Sequence, residues 1–159
     1  MPVYMKIEGI DGNVTSKGHE NWIDVQSLQW GVGRAISSAI GTSADREASK
    51  PSISEVTVTT LMEASSPMLF TEACVGKSKK VQIDLCTTGT DALETYMSYE
   101  LEDCMVSGYS VSGNGDTRPT ENLSLSFTKV TMKFTPYDKA GKPQSPIPAG
   151  YDMVTGTKI

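Results

Sequence analysis

The sequence predicts a mainly β protein, a small closed or two-sheet β-barrel with one short α-helix and a long extended loop, and three patterns predict it. The stretch at residues 120–136 alternates like a strand and then changes phase: Leu123, Leu125 and Phe127 occupy odd positions, whereas Val130, Met132 and Phe134 occupy even ones. Side chains alternate across a strand with a period of two, so facing both triplets to one core requires an extra residue to be absorbed near Thr128 and Lys129, by a bulge or a sharp bend. The same change recurs from Ile23 and Val25 to Leu28 and Trp30, and from Val56 and Val58 to Leu61. Strands that turn corners repeatedly point to a small closed barrel. Composition agrees: hydrophobic residues make up 38% and charged ones 21%, with Ser, Thr, Asn and Gly replacing the missing charge, and 159 residues suffice for one domain with its own core.

Taken in order, residues 3–8 and 22–30 read as strands, followed by a loop over 31–52 and a strand over 53–62. A helix comes next. Ser66 is placed to cap it, Pro67 suits the first helical position where no N–H is needed, and Gly76 suits the left-handed residue that ends it. Leu69, Phe70, Ala73 and Cys74 then form an apolar stripe wide enough for a helix that plugs or flanks one end of a barrel. Residues 81–86 read as a strand, 93–112 as one long strand or a tight pair, and GNGDTRPT as a turn-rich connection into the strand at 120–136. A Pro- and Gly-containing spacer at 138–150 precedes a last strand and tail at 151–159.

The loop at 31–52 is longer than connections in compact domains usually are, unless they are functional or mobile. Ile36 and Ile40, four apart with Ala35 and Ala39 alongside, give an apolar patch. Two readings stay open on physics: a surface that docks on another subunit, or a mobile loop with incidental apolar residues.

Candidate chemistry fails motif by motif. His19 is the one histidine and stands in a turn, so it cannot complete a zinc set and reads as a structural hydrogen-bonding residue. Cys74, Cys86 and Cys104 are odd in number, lack CxxC spacing and read as small core residues of a reducing compartment. The segment from Gly108 to Ser112 misses the nucleophile elbow at its fifth position, and Gly31-Val32-Gly33 opens like a dinucleotide fingerprint without the strand-helix repeats such a site needs. Glu100, Glu102 and Asp103 read as a solvated strand face, and Lys77, Lys79 and Lys80 as a solvated cluster at the negative end of the helix dipole. No catalytic residue, metal or cofactor is expected. A net charge of −5 with a pI near 4.9 argues against nucleic acid as a partner. The N-terminal MPVYMKIEGID lacks a basic region followed by an apolar run, and no stretch is long and apolar enough to insert in a membrane, so neither glycosylation triplet, Asn13-Val14-Thr15 or Asn122-Leu123-Ser124, is expected to be used.

Four blocks carry a family resemblance. Glu121-Asn122 precedes the alternating strand that ends near Phe134 and Pro136; KIEGIDG runs from Lys6 to Gly12; GHENWIDVQSLQWG from Gly18 to Gly31; and SSPMLFTEACVGK from Ser65 to Lys77. In this order and spacing they resemble the haemolysin-coregulated protein family, the tube protein of bacterial type VI secretion, over nearly the whole chain. The stretch after Trp30, GRAISSAIGTSADREASKP, departs from the glycine-rich loop common in relatives. The resemblance implies a subunit that is made in the cytoplasm, closes into hexameric rings, stacks into a tube and is expelled without a cleaved signal, with effectors in the lumen and sheath and spike proteins as partners. It implies ring stacking through the long loop, with Arg34, Ala35, Ile36, Ala39, Ile40, Arg46 and Glu47 as candidate contacts, and a channel wall with Gln26, Gln29, Gln82 and Asp84 as candidate lumen or cargo-facing residues. A phage-type tail tube subunit is the neighbouring alternative; a small-ligand carrier barrel would need an empty interior that the Leu, Val, Ile, Met and Phe of these strands are numerous enough to fill.

Overall fold

The computed structural model describes residues 1–38 and 46–159. In chain order the elements are β1 (Val3–Ile7), β2 (Ile23–Gln29), β3 (Val32–Gly33), β4 (Ile36–Ser38), β5 (Arg46–Ala48), β6 (Ser52–Ile53), β7 (Val56–Leu61), α1 (Ser66–Val75), β8 (Lys79–Thr88), β9 (Leu93–Ser112), β10 (Thr120–Ser126), β11 (Lys129–Phe134), β12 (Ile147–Asp152) and β13 (Thr157–Lys158). Six of them close the barrel in the order β10-β7-β2-β1-β8-β9, with β9 returning to pair with β10. All these pairs are antiparallel. Alternation fills the interior: Met5 and Ile7, Ile23 and Val25, Val56 and Val58, Val81 and Ile83, Leu101, and Leu123 and Leu125 are buried in one cluster. Among the described residues these side chains fill the interior in one cluster, which counts against the carrier alternative.

Strand β9 holds the architecture together because, at 20 residues, it is long enough to serve two neighbours on one edge. Its first half pairs with β11, Lys129 opposite Glu102 through Phe134 opposite Met97; its second half pairs with β10, Ser126 opposite Met105 through Thr120 opposite Ser112. The phase change in residues 120–136 marks the hand-over: β10 ends at Ser126, Phe127 and Thr128 form the break, and β11 begins at Lys129. The second triplet does not fill the core as expected. Val130, opposite Leu101, is buried, but Met132 is half-buried and Phe134 is exposed, because β11 and β12 extend the sheet beyond the barrel.

The corner in β2 is present as a register shift between Val25 and Ser27, which puts Gln26 and Ser27 both outside and returns Leu28 to the core side. The corner expected in β7 is absent. Thr60 takes the core position and Leu61 is exposed, because the barrel at this level is polar: Thr60 lies opposite Glu121, itself fully buried.

Helix α1 closes that end. Ser65, not Ser66, is the N-cap, and it makes no side-chain cap bond; Ser66 sits in the first turn, where its hydroxyl accepts from the Glu63 N–H at 3.0 Å. Gly76 ends the helix in the left-handed region at φ 72°, its N–H bonded to the Glu72 carbonyl at 2.8 Å. The buried face is Ser66, Leu69 and Glu72; Phe70 and Cys74 point outward, so the expected stripe is rotated and only Leu69 plugs the core.

Two further segments differ from expectation. Residues 147–150, read as spacer, open β12 against β11, and residues 151–159, read as a last strand, hold the end of β12, a turn and the short β13. In that turn Asp152 Oδ1 accepts the Val154 N–H at 2.9 Å and Gly156 has φ 69°. The long loop contains ribbon structure: β3 pairs with β6, Val32 opposite Ile53, and β4 with β5, Ile36 opposite Ala48, as an arm continuing β2 and β7.

Candidate functional site

Three surfaces and two buried clusters bear on what the protein does. The first surface is the arm. Its base is tied across the ribbon, with the Ala35 N–H donating to Ser49 Oγ at 3.0 Å, the Ser49 N–H to the Ala35 carbonyl at 2.8 Å, and Arg34 Nε to the Ser49 carbonyl at 3.2 Å. Val32 and Ile36 are 64% and 56% exposed, so apolar surface is displayed along this base. Arg46 and Glu47 lie on β5, paired with Ser38 and Ser37. Ala39 and Ile40, the other half of the expected patch, lie outside the described residues. A groove of roughly 710 Å³ opens where the arm leaves the barrel, between Gln29, Gly31 and Thr57.

The second surface is the outer face of β2, β7, β10 and the second half of β9. Register sets its residues in two transverse rows. Gln29, Thr57, Ser124 and Gly108 lie side by side across the four strands, and Ser27, Thr59, Asn122 and Ser110 form the next row. Beyond them stand Gln26, Ser126, Thr120, Ser112 and Leu61, and the one charged side chain among the outward positions of these strands is Asp24, at the start of β2. At its margin Asp24 accepts from Gln26 Nε2 at 3.2 Å, and burial pushes its carboxyl above the ordinary carboxylate value against that bond.

The third surface, the outer face of β1, β8, the first half of β9 and β11, is charged. Lys80 pairs with Glu100, Lys129 with Glu102 at 3.2 Å, and Lys6 with Asp11 at 3.0 Å. Lys79, expected in solvent, instead reaches the Glu72 carboxylate of α1 at 3.6 Å. The Glu100 and Glu102 carboxylates are thus held by lysines across the strands.

The four candidate lumen residues divide between these faces. Gln26 and Gln29 are exposed on the uncharged one; Gln82 is half-buried on the charged one, donating to Asp84 Oδ1 at 3.1 Å. Asp84 presents no carboxylate to solvent: it is 6% exposed and saturated by His19, Ser98 and Gln82. His19 Nε2 lies 2.9 Å from Asp84 Oδ2, with the ring packed between Tyr4 and Trp22, so the single histidine pins the 8–22 connection onto β1 and β8. Cys86 Sγ lies 4.0 Å from the same nitrogen, and burial pushes its thiol up. A nucleophile and a carboxylate sharing one imidazole nitrogen cannot relay a proton through the ring as a triad does.

The residue missed by the sequence reading is Glu121. It is fully buried and accepts from Ser66 Oγ at 2.9 Å, from Tyr109 Oη, and from Thr60 Oγ1 at 3.4 Å, joining α1, β9 and β7 through one carboxylate with no cation paired to it among the described residues. Burial, reinforced by Glu121, pushes the Tyr109 phenol up to about 12. Glu121 shares its parity with Leu123, Leu125 and Phe127, which is the signal that places it inside. No three His, Cys, Asp or Glu side chains converge among the described residues in a way that suits a metal ion.

Comparison with known proteins fits this geometry. A family profile described as Type VI secretion system effector, Hcp, matches residues 4–134. Protein hcp1 of Pseudomonas aeruginosa is 26% identical over 154 residues, covering 95% of this chain and 94% of that protein. A solved structure described as that of a type six secretion system protein superposes with a TM-score of 0.91 at 29% identity, covering 99% of both chains. Hcp1 from Salmonella typhimurium gives a TM-score of 0.77 at 25% identity, covering 99% of this chain and 98% of that one. With a family match across most of the chain and a barrel that superposes over its full length, this protein belongs to the Hcp family of type VI secretion tube proteins.

Proposed function

We propose that the chain is the structural subunit of a secretion tube, closing into hexameric rings that stack through the arm and carry effectors in the lumen. The observation that carries this reading is the segregation of the outer surface. One half of the barrel wall is hydroxyl-rich and uncharged but for Asp24 at its margin, while the other is laced with ion pairs, the arrangement expected where one side faces a confined channel and the other faces water or a charged sheath. Two features support closure. The free edge of the extended sheet is β13, and the C-terminal hairpin displays Ile147, Val154 and Ile159 at 62%, 76% and 57% exposure. An open edge beside apolar side chains is a docking surface, and a heterologous contact repeated about an axis either closes as a ring or runs on as a filament.

The arm supplies the stacking contact through Arg34, Ala35, Ile36, Ala39, Ile40, Arg46 and Glu47, and Gln26 and Gln29 face the channel. The subunit is made in the cytoplasm and expelled with its cargo, the sheath and spike proteins being its other partners.

Electron microscopy and native mass spectrometry of the purified protein test this. Rings with an open centre and six-fold chain mass are expected; monomers alone at micromolar concentration would refute it. Deleting 35–48 should leave rings and abolish tubes. An unfolded deletion variant would mean that the arm belongs to the folding core.

A further inference from the structure

We infer that the uncharged face holds protein cargo without regard to the sign of its net charge, by neutral hydrogen bonds from the Gln29-Thr57-Ser124 and Ser27-Thr59-Asn122-Ser110 rows. The inference rests on the reading of this face as the channel wall. In a chain with 21% charged residues, the outward positions of four adjacent strands carry a single charged side chain, Asp24 at the start of β2, while the adjoining half of the same barrel carries Lys6, Lys80, Glu100 and Glu102, with Lys129 beside it on β11. The carboxylates at the margin are engaged rather than aimed across the face: Asp24 accepts from Gln26, and Glu55 accepts from Ser107 Oγ at 2.9 Å. Among the described residues the side chains of Ser27, Gln29, Thr57 and Ser110 make no hydrogen bond within the protein, which leaves donors and acceptors of both kinds for a ligand.

Repetition around a ring turns one residue's charge into a band of like charge. Inside a narrow channel such a band selects one sign of cargo and rejects the other. A neutral wall imposes no such choice. Its hydrogen bonds are individually weak, act in parallel and are not screened by salt. Nucleic acid is not the occupant this chemistry fits, since retention of a phosphate backbone requires Lys or Arg and the face has neither.

The test uses assembled rings and one small helical protein made in two versions, with net charges of about +6 and −6. Retention by gel filtration at about 50 mM and about 500 mM salt is the readout. Wild-type rings should retain both versions within about three-fold of each other at either salt concentration, a spread too small for a charge-selective wall. Rings of Thr57→Lys, or of Ser110→Lys should the first assemble poorly, should prefer the acidic version by about ten-fold or more at low salt and lose that preference at high salt.

If wild-type rings already select one sign, the charge-blind inference is overturned while the channel reading stands. Loss of both versions from wild-type rings overturns it as well, because the two rows would then hold no protein. Retention of duplex DNA by wild-type rings would overturn it in favour of a nucleic-acid conduit. If the lysine variants leave the ratio unchanged, the face lies outside the channel, and the reading on which the inference rests fails instead.

Discussion

Glu121→Ala should be among the most damaging single substitutions in the chain. The carboxylate is fully buried and collects three hydroxyls from three elements. The bonds from Ser66 and Tyr109 are the firm ones, each worth about 1.5–3 kcal/mol for a hydrogen bond to a charged group, while Thr60 at 3.4 Å adds little. Alanine also leaves a void at the junction of α1 and the barrel, costing roughly a further 1 kcal/mol or more. Against these losses, the variant no longer buries an ion, which returns several kcal/mol. A net destabilisation of about 2–4 kcal/mol follows. Glu121→Gln keeps the shape and one acceptor oxygen and should cost about half as much, because hydroxyls rotate to suit a neutral amide. Urea unfolding followed by fluorescence of Trp22 and Trp30 measures both, at matched oligomeric state because assembly adds to apparent stability. A Glu121→Ala variant within about 0.5 kcal/mol of wild type would refute the reasoning, as would a glutamine variant no better than alanine.

Three smaller predictions test packing and ionisation. A Cβ added at Gly12 would stand 2.4 Å from the Trp22 carbonyl oxygen and 2.9 Å from Ile23 Cα, so Gly12→Ala should cost more than about 2 kcal/mol, whereas Gly31→Ala, with nothing within 4 Å, should stay under about 1 kcal/mol; thermal melts compare them. Cys74 is exposed while Cys86 and Cys104 are buried, with the Cys104 thiol pushed up to about 12, so an aromatic disulfide reagent should titrate one thiol in the native protein and all three after unfolding. Tyr109 is raised from 10 to about 12 by burial and by Glu121, which favours the neutral phenol in the fold; its contribution is complete below about pH 10 and lost as the pH rises towards 12. Wild type should therefore lose stability more steeply than Tyr109→Phe across that window, and parallel curves would contradict the assignment.

Much of the fold was legible because alternation is a local property. The parity of Ile23 and Val25 against Leu28 located the β2 bulge, and Pro67 and Gly76 bracketed α1 within a residue or two. What failed did so where a tertiary partner overrode the local pattern. Leu61 looked like a core residue until Glu121 made the level polar and gave the site to Thr60. Phe134 looked like one until β9 carried β11 away from the barrel. Asp84 reads as an ordinary outward position, and only the return of the 8–22 connection, sixty-five residues away in sequence, lays His19 over it. The uncharged face was half visible through Gln26 and Gln29, but its extent depends on the register of four strands, which no single segment contains.

The two faces meet on a single strand, and the point of change is a backbone feature with a testable energy. Ser98, Glu100 and Glu102 point outward on the first half of β9, and Gly108, Ser110 and Ser112 on the second. Between them Asp103 adopts φ 52°, beside the irregularity that returns Cys104 to the core and near the break where β10 gives way to β11. A left-handed residue there absorbs the extra position and re-aims the strand, so that one edge can serve first the extended sheet and then the barrel. Asp tolerates this conformation better than most residues, and its Oδ2 accepts from Thr128 Oγ1 at 3.3 Å across the break. Asp103→Gly relieves the left-handed strain, loses that weak bond and should change stability by less than about 1 kcal/mol. Asp103→Val places a β-branched side chain where it is strongly disfavoured and should cost about 1–2 kcal/mol or more. Since both variants remove the same carboxylate, the gap between them isolates the backbone. Thermal melts showing equal stability would mean that β9 turns without a left-handed residue and that the division between the two faces is set elsewhere.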